Sequence, residues 1–248
     1  MKKNVLIGAG ALIVVLGLVG ALSLKFEEPT SLVPLSEEGE YYSVVVQEPN
    51  PFILEGAADL LARTTIHEAL KRAIEQFKSD SGVESLSAED IAYLGLGGER
   101  KYSFGAEYDA YQGRATVSYA YRVYTDTLGA HPNHFFLTFT FDQEGRRLEL
   151  KDVFADESSY LTRLSEEAFA RVSNELRSRT GEVLSSDMED TVRMGTAPSP
   201  EALQFFYLTD ADLHLLFPPY QVAAYAAGSF DIAIPLSELK DILKPEFN

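Results

Sequence analysis

The stretch DTLGAHPNHFFLTFTFDQEG, Asp126 to Gly145, holds two of the chain's four histidines three residues apart. Imidazole trades protons near neutral pH and is a nitrogen ligand that zinc prefers, so His131 and His134 are the first residues to weigh for chemistry. A zinc site needs a third ligand in fixed orientation. No further histidine stands at suggestive spacing, and Pro132 stiffens the chain between the two, so no metal ligand is assigned. Two roles stay open. His131 would act as a general base beside a carboxylate, or it would bond to backbone and hold a Gly-Ala-His-Pro-Asn turn with Gly129 and Asn133. The turn is the role the sequence favours, and no catalytic residue is assigned.

SELK, Ser237 to Lys240, has the S-x-x-K spacing of penicillin-interacting serine enzymes, but neither a K-T-G nor an S-x-N partner exists. Ser237 reads instead as a helix cap. The acidic pairs at 27–28, 37–38 and 166–167 read as solvated faces. The segment FPPYQVAAYAAGSFDIAIP is more informative. Pro218 and Pro219 stiffen it, Tyr220 and Tyr225 offer large amphipathic rings, and Gly228 permits a tight turn. These residues make a candidate ligand-contact loop. The competing reading has both tyrosines covering the end of a sheet.

The 38 acidic against 21 basic residues give a net charge of −17. Such a surface repels phosphate, which excludes nucleic acid as a partner, and it attracts basic proteins. The absence of cysteine removes disulfides, thiolate metal sites and cysteine nucleophiles. No small-molecule cofactor is expected.

The segment MKKNVLIGAGALIVVLGLVGALSLK runs uncharged from Asn4 to Leu24, enough as a helix to span a bilayer's hydrocarbon core. Lysines at its front predict a single-pass anchor, N-terminus cytoplasmic, with the remainder extracytoplasmic. The rival is a cleaved signal peptide with Ala21 and Ser23 near the cut, giving a secreted protein. Four stretches are expected: an anchor over 1–25, an acidic, proline-containing spacer over 26–40, and two α+β subdomains over 41–125 and 126–248.

Periodicity supplies the elements. Tyr41 to Pro49 reads as a strand, and Ile66, Leu70, Ala73, Ile74 and Phe77 mark a helix over about 57–78, stopped by Gly82. The tyrosine-rich run from Lys101 predicts two or three strands of a meander. Phe135, Leu137, Phe139 and Phe141 alternate with Phe136, Thr138 and Thr140, a strand with two distinct faces. A second long helix is expected over 160–180, capped by Ser158 or Ser159 and ended by Gly181. A short turn at 199–203, a hairpin over 205–217, a strand over 229–235 and a closing helix from Leu236 complete the chain. The predicted class is α+β: antiparallel sheet with both long helices packed on one face, preceded by one transmembrane helix.

Five short motifs, YTDTLGAHPN, FDQEG, LKDVF, PYQVAAYAAG and IAIPLSEL, occur in the order found in a known family. The chain resembles the extracytoplasmic domain of RsiV-type anti-sigma factors and PdaC-type peptidoglycan deacetylases, the domain of unknown function DUF3298 with a DUF4163-like N-terminal part. The resemblance covers Tyr119 to Leu243 well and 41–117 only in layout. Leu128 and Pro132 stand where the family has glycine, and Ala224 where it often has proline. The sigma-binding segment and the catalytic domain of those relatives have no counterpart here. The resemblance therefore implies a fold and an outward binding role, with a lysozyme-like or other envelope protein as ligand.

The leading expectation is thus a membrane-anchored, non-enzymatic binding module. One alternative is a hydrolase or deacetylase acting on cell-wall glycan with His131 as its working group. Another is a structural envelope protein that associates with itself or a membrane partner.

Overall fold

A computed structural model describes residues 32–49, 53–156, 159–181 and 183–248. Strands β1 (Glu37–Glu38), β2 (Tyr42–Val46), β3 (Tyr102–Gln112), β4 (Thr116–Asp126), β5 (Asn133–Asp142) and β6 (Arg147–Leu148) lie side by side in chain order as one sheet. Every neighbouring pair is antiparallel except β2 and β3, which run parallel from Tyr42↔Tyr102 to Val46↔Ala106. The cause is helix α1 (Gly56–Ser81), which carries the chain back between those two strands, the crossover a parallel pair needs.

Helix α1 buries Ala62, Ile66, Leu70, Ile74 and Phe77 along one stripe and ends at Gly82, whose φ of 61° is the left-handed cap expected there. Helix α2 (Ala88–Leu94) starts at a reciprocal capping box between Ser87 and Asp90. Helices α3 (Tyr160–Thr180) and α4 (Ser186–Gly195) follow the first sheet. Strands β7 (Phe206–Leu208), β8 (Asp212–Phe217) and β9 (Phe230–Pro235) then form a second, antiparallel sheet.

Each long helix covers its own sheet. The α1 stripe packs on Phe104, Tyr119, Tyr121, Phe139 and Phe141 of the first sheet. The α3 stripe, Leu164, Ala168, Val172 and Leu176, packs on Leu213, Leu215, Phe217, Ile232 and Ile234 of the second. Each leucine, isoleucine, valine or phenylalanine among them contributes roughly 1.5–3 kcal/mol by leaving water. Ala120, Phe136, Tyr207 and Leu216 fill the space between the sheets. β4 is therefore buried on both faces from Thr116 to Tyr121.

Hydroxyl groups join the two sheets. Leu208 N–H donates to Ser118 Oγ at 3.1 Å, and Phe206 N–H donates to Thr138 Oγ1 at 3.2 Å. Ser118 Oγ also lies 3.0 Å from Thr140 Oγ1. The free edge of β7 meets the face of the first sheet, and its outward N–H groups are satisfied there rather than left as a template for another strand.

The expected architecture needs correction in several respects. The first sheet is mixed where an antiparallel one was expected, because the chain returns through α1 and sets β2 parallel to β3. The long helices lie on different sheets and not on one face, since each apolar stripe has its own partner. No helix among the described residues is long and apolar enough to cross a membrane. The expected anchor over residues 4–24 lies outside those residues. The single-pass topology and the membrane as a partner are withdrawn accordingly. Ser158 likewise lies outside the described residues, and Ser159 occupies the N-cap of α3 without a side-chain bond. The closing helix is reduced to single 3₁₀ turns at Leu236–Glu238 and Pro245–Phe247.

Candidate functional site

The β4–β5 hairpin and the long loop before β9 bring the two candidate groups of the sequence together. The hairpin turn is set by Asp126, whose carboxylate accepts the Leu128 N–H at 2.7 Å. Leu128 adopts φ 58°, the left-handed conformation that glycine supplies most cheaply. Gly129 has no such requirement: an added Cβ there would meet nothing within 4 Å.

From this turn His131 reaches across to the other loop. Its Nδ1 lies 3.0 Å from Pro132 O and its Nε2 3.0 Å from Tyr220 Oη. A carbonyl only accepts, so Nδ1 carries the proton and Nε2 accepts from the tyrosine hydroxyl. The imidazole also stacks on Tyr225, centroids 4.0 Å apart and planes 22° apart. Tyr225 in turn donates to Pro132 O at 2.8 Å. Asn133 opens β5, paired with Thr125, and His134 follows it opposite Tyr124, the two rings meeting edge-on at 5.2 Å. Burial and the Asp126 carboxylate raise the Tyr124 phenol above its ordinary range.

The second loop is fastened from beneath. Gln221 N–H donates to Pro218 O at 3.2 Å, closing a tight turn with Pro219 and Tyr220 in its centre. Proline fits the first central position, while the second demands positive φ. Tyr220 meets that demand at φ 72° and remains 59% exposed. The Gln221 amide donates to Gly195 O and Ala202 O, both at 2.8 Å, and Val222 is buried behind it. An anchored turn thus pushes a strained tyrosine outward, an arrangement typical of contact sites. Gly228, at φ 73°, redirects the chain into β9.

Between the loops and the first sheet lies a cleft of about 270 Å3, with Arg122, His134, Phe136, Pro219, Tyr225 and Ser229 among its walls. Arg122 donates to Asp109 at 2.6 Å, a contact that holds its guanidinium cationic. Pro219 and Tyr225 line the cleft itself; Pro218, Tyr220 and His131 form the frame around it. Among the described residues no group of three or more His, Asp or Glu side chains could hold a metal ion.

Sequence reasoning passed over Arg122, Phe136 and Ser229. Only Arg122 had a signal: it is the lone charged residue inside YAYRVYT. Such an arginine on an alternating strand reads equally well as a solvated face.

Chemically, the cleft offers aromatic faces beside a few neutral donors and acceptors and one cation. That suits a ligand with apolar C–H faces and peripheral hydroxyl or amide groups. It does not suit proton abstraction by His131, whose two nitrogens are both engaged within the fold.

Comparison with known proteins places this geometry in context. Residues 151–237 match the family described as "Protein of unknown function (DUF3298)". The chain is 33% identical over 135 residues to the peptidoglycan-N-acetylmuramic acid deacetylase PdaC of Bacillus subtilis. That match takes in 54% of this chain and only 27% of PdaC, so about a quarter of the relative is spanned. A DUF3298 member from Bacteroides fragilis superposes with a TM-score of 0.50 at 21% identity, over 77% of this chain and 71% of that one, a likeness of fold. A DUF3298 protein from Pseudomonas aeruginosa gives 0.48 at 19% identity, over 59% and 64%. Nothing in these matches supports a lysozyme-like partner or a membrane-anchored binding module, and both expectations are set aside in favour of the glycan-directed alternative.

Proposed function

Starting from a chain whose residues 151–237 form a DUF3298 segment with homology to PdaC, we propose that this protein is directed at cell-wall glycan and holds a sugar strand in the cleft beside Tyr225. The observation that carries this reading is the aromatic frame. His131, Tyr220 and Tyr225 buttress one another across two loops, so Tyr225 is held rigidly at the cleft. A pyranose ring presents an apolar C–H face that packs on such a ring at little entropic cost. Its hydroxyl and acetamido groups would meet His134, Ser229 and Arg122. Charge agrees with the choice, since a net −17 disfavours polyanions but leaves neutral amino sugars unopposed.

In this reading the cleft binds and does not itself cleave, because His131 is spent on positioning. We further take the β2–α1–β3 unit as the DUF4163-like partner of the DUF3298 segment. It is supported by the strand–helix–strand layout alone.

The test is co-sedimentation of the full chain with purified peptidoglycan, followed by analysis of the soluble fraction. Retention on the pellet that falls about tenfold in Tyr225→Ala, with no sugar or acetate released, is the expected outcome. Absence of retention would remove the glycan reading, and released product would replace holding with turnover.

A further inference from the structure

The cleft does not end at Arg122. Arg122, Phe136 and Ser229 also line a second cleft of about 190 Å3, so the two clefts adjoin at those side chains, between the first sheet and the start of β9. On the far side stand Tyr111, Tyr207 and Asp231. Tyr111 stacks on Tyr207 with centroids 4.0 Å apart, and Tyr207 stacks on His214 at 4.2 Å. The Tyr207 hydroxyl donates to Asp231 Oδ2 at 2.8 Å, while Asp231 Oδ1 lies 2.7 Å from His214 Nδ1. Burial and the Asp231 carboxylate push the Tyr207 phenol far up, so it stays a donor at any physiological pH. The carboxylate is thus fixed by two partners yet remains 47% exposed at the groove.

Resting on the glycan reading above, we propose that this far half is a second sugar subsite and that the groove takes an extended amino-sugar chain rather than a single ring. The register sets the scale. Tyr111 of the far half pairs with Ser118 on β4, and His134 of the near half pairs with Tyr124, six positions further along that strand, which corresponds to about 20 Å at the rise of a strand. That is room for several linked pyranoses. The half at Tyr225 supplies an aromatic platform. The half at Tyr111 supplies a second ring and a fixed carboxylate, which accepts hydrogen bonds from sugar hydroxyl and amide groups. Arg122 stands between them as a donor to acyl or carboxyl oxygens. A nucleic-acid strand would also stack on the rings, but it would bring phosphates against Asp231 and Asp109.

Calorimetric titration of the full chain with the dimer and hexamer of β-1,4-linked N-acetylglucosamine tests the proposal. The hexamer is expected to bind at least about tenfold tighter than the dimer. Tyr111→Ala should erase most of that advantage, and Asp231→Asn, which keeps the size of the side chain, should reduce it in the same direction. Dimer binding with no gain for the hexamer, or a gain indifferent to both variants, overturns the second subsite alone. Failure of both sugars to bind overturns the subsite together with the glycan reading. Circular dichroism of each variant guards against loss of fold.

Discussion

The hydroxyl of Tyr220 donates to Nε2 of His131 at 3.0 Å across 89 residues of sequence. This bond closes a ring of contacts in which His131 also leans on Tyr225. The histidine is consequently a strut between two loops, and the site depends on it through geometry.

Replacing that strut separates stability from binding. Because the pair is exposed, Tyr220→Phe should lower unfolding free energy by no more than about 1 kcal/mol, read from urea denaturation. His131→Ala removes the stacking surface as well. It should weaken peptidoglycan retention by a larger factor than Tyr220→Phe while far-ultraviolet dichroism stays unchanged. Equal effects from the two variants would show that the stacked ring contributes nothing.

Backbone strain at Tyr220 gives a second prediction. With φ at 72° the residue sits where an L side chain costs about 1–2 kcal/mol and glycine does not. Both Tyr220→Ala and Tyr220→Gly lose the bond to His131, but only the glycine relieves the backbone. The glycine variant should therefore be the more stable of the two by about 1 kcal/mol, although glycine ordinarily loses to alanine. The reverse order in thermal melts would contradict the left-handed turn.

Much of this was readable in the residues, and the failures have physical causes. The stripes of α1 and α3, their glycine caps at Gly82 and Gly181, and the two-faced β5 follow from local periodicity. Parallel pairing of β2 with β3 does not, because a strand looks the same whichever way its neighbour runs. The short helices α2 and α4 escaped for lack of a long stripe, though Ser87 with Asp90 and Ser185 with Asp187 were available as start signals. At the site, His131 and the tyrosine pair were each visible as separate candidates. Their meeting was not, since nothing local encodes a contact between a hairpin turn and a loop far downstream. Arg122 was hidden by its neighbours.

The sheet junction provides a third prediction. Thr138→Val preserves shape but strips the acceptor from the buried Phe206 N–H, and Ser118→Ala does the same for Leu208. Leaving a buried N–H unmet costs about 1–3 kcal/mol. Each variant should lose that much in denaturant titration. The pair should show coupling, because both serve one edge strand. A neutral Thr138→Val would mean that water replaces the hydroxyl.

Alkaline pH should unfold the protein through its buried tyrosines. Burial pushes Tyr119 up to about 12 from an ordinary 10, and Tyr121 also moves upward, chiefly through burial. A phenol whose folded value is raised contributes stability that is complete below the unfolded value and lost as pH climbs through the folded one. Unfolding free energy should accordingly be flat to about pH 10 and fall from there upward, the share of Tyr119 being lost by about pH 12. Tyr119→Phe should make that fall shallower. A decline beginning at neutral pH, or one unchanged in the phenylalanine variant, would assign it to other groups.

The last prediction joins the end of α4 to the exposed tyrosine. A Cβ added at Gly195 would lie 2.0 Å from Gln221 O, a backbone atom that cannot swing aside. Gln221 returns the favour by donating to Gly195 O. Gly195→Ala must therefore push the loop away from the helix and break the anchor that presents Tyr220. Overpacking of this kind costs about 1–3 kcal/mol, and here the displacement falls on the glycan-binding frame. Stability and peptidoglycan retention should drop together. Gly129→Ala, across the cleft, has open space and no positive φ, so both readouts should hold. If Gly195→Ala kept full retention despite its lower stability, the loop would not need its anchor to present Tyr220, and the rigid-frame account of the site would fail.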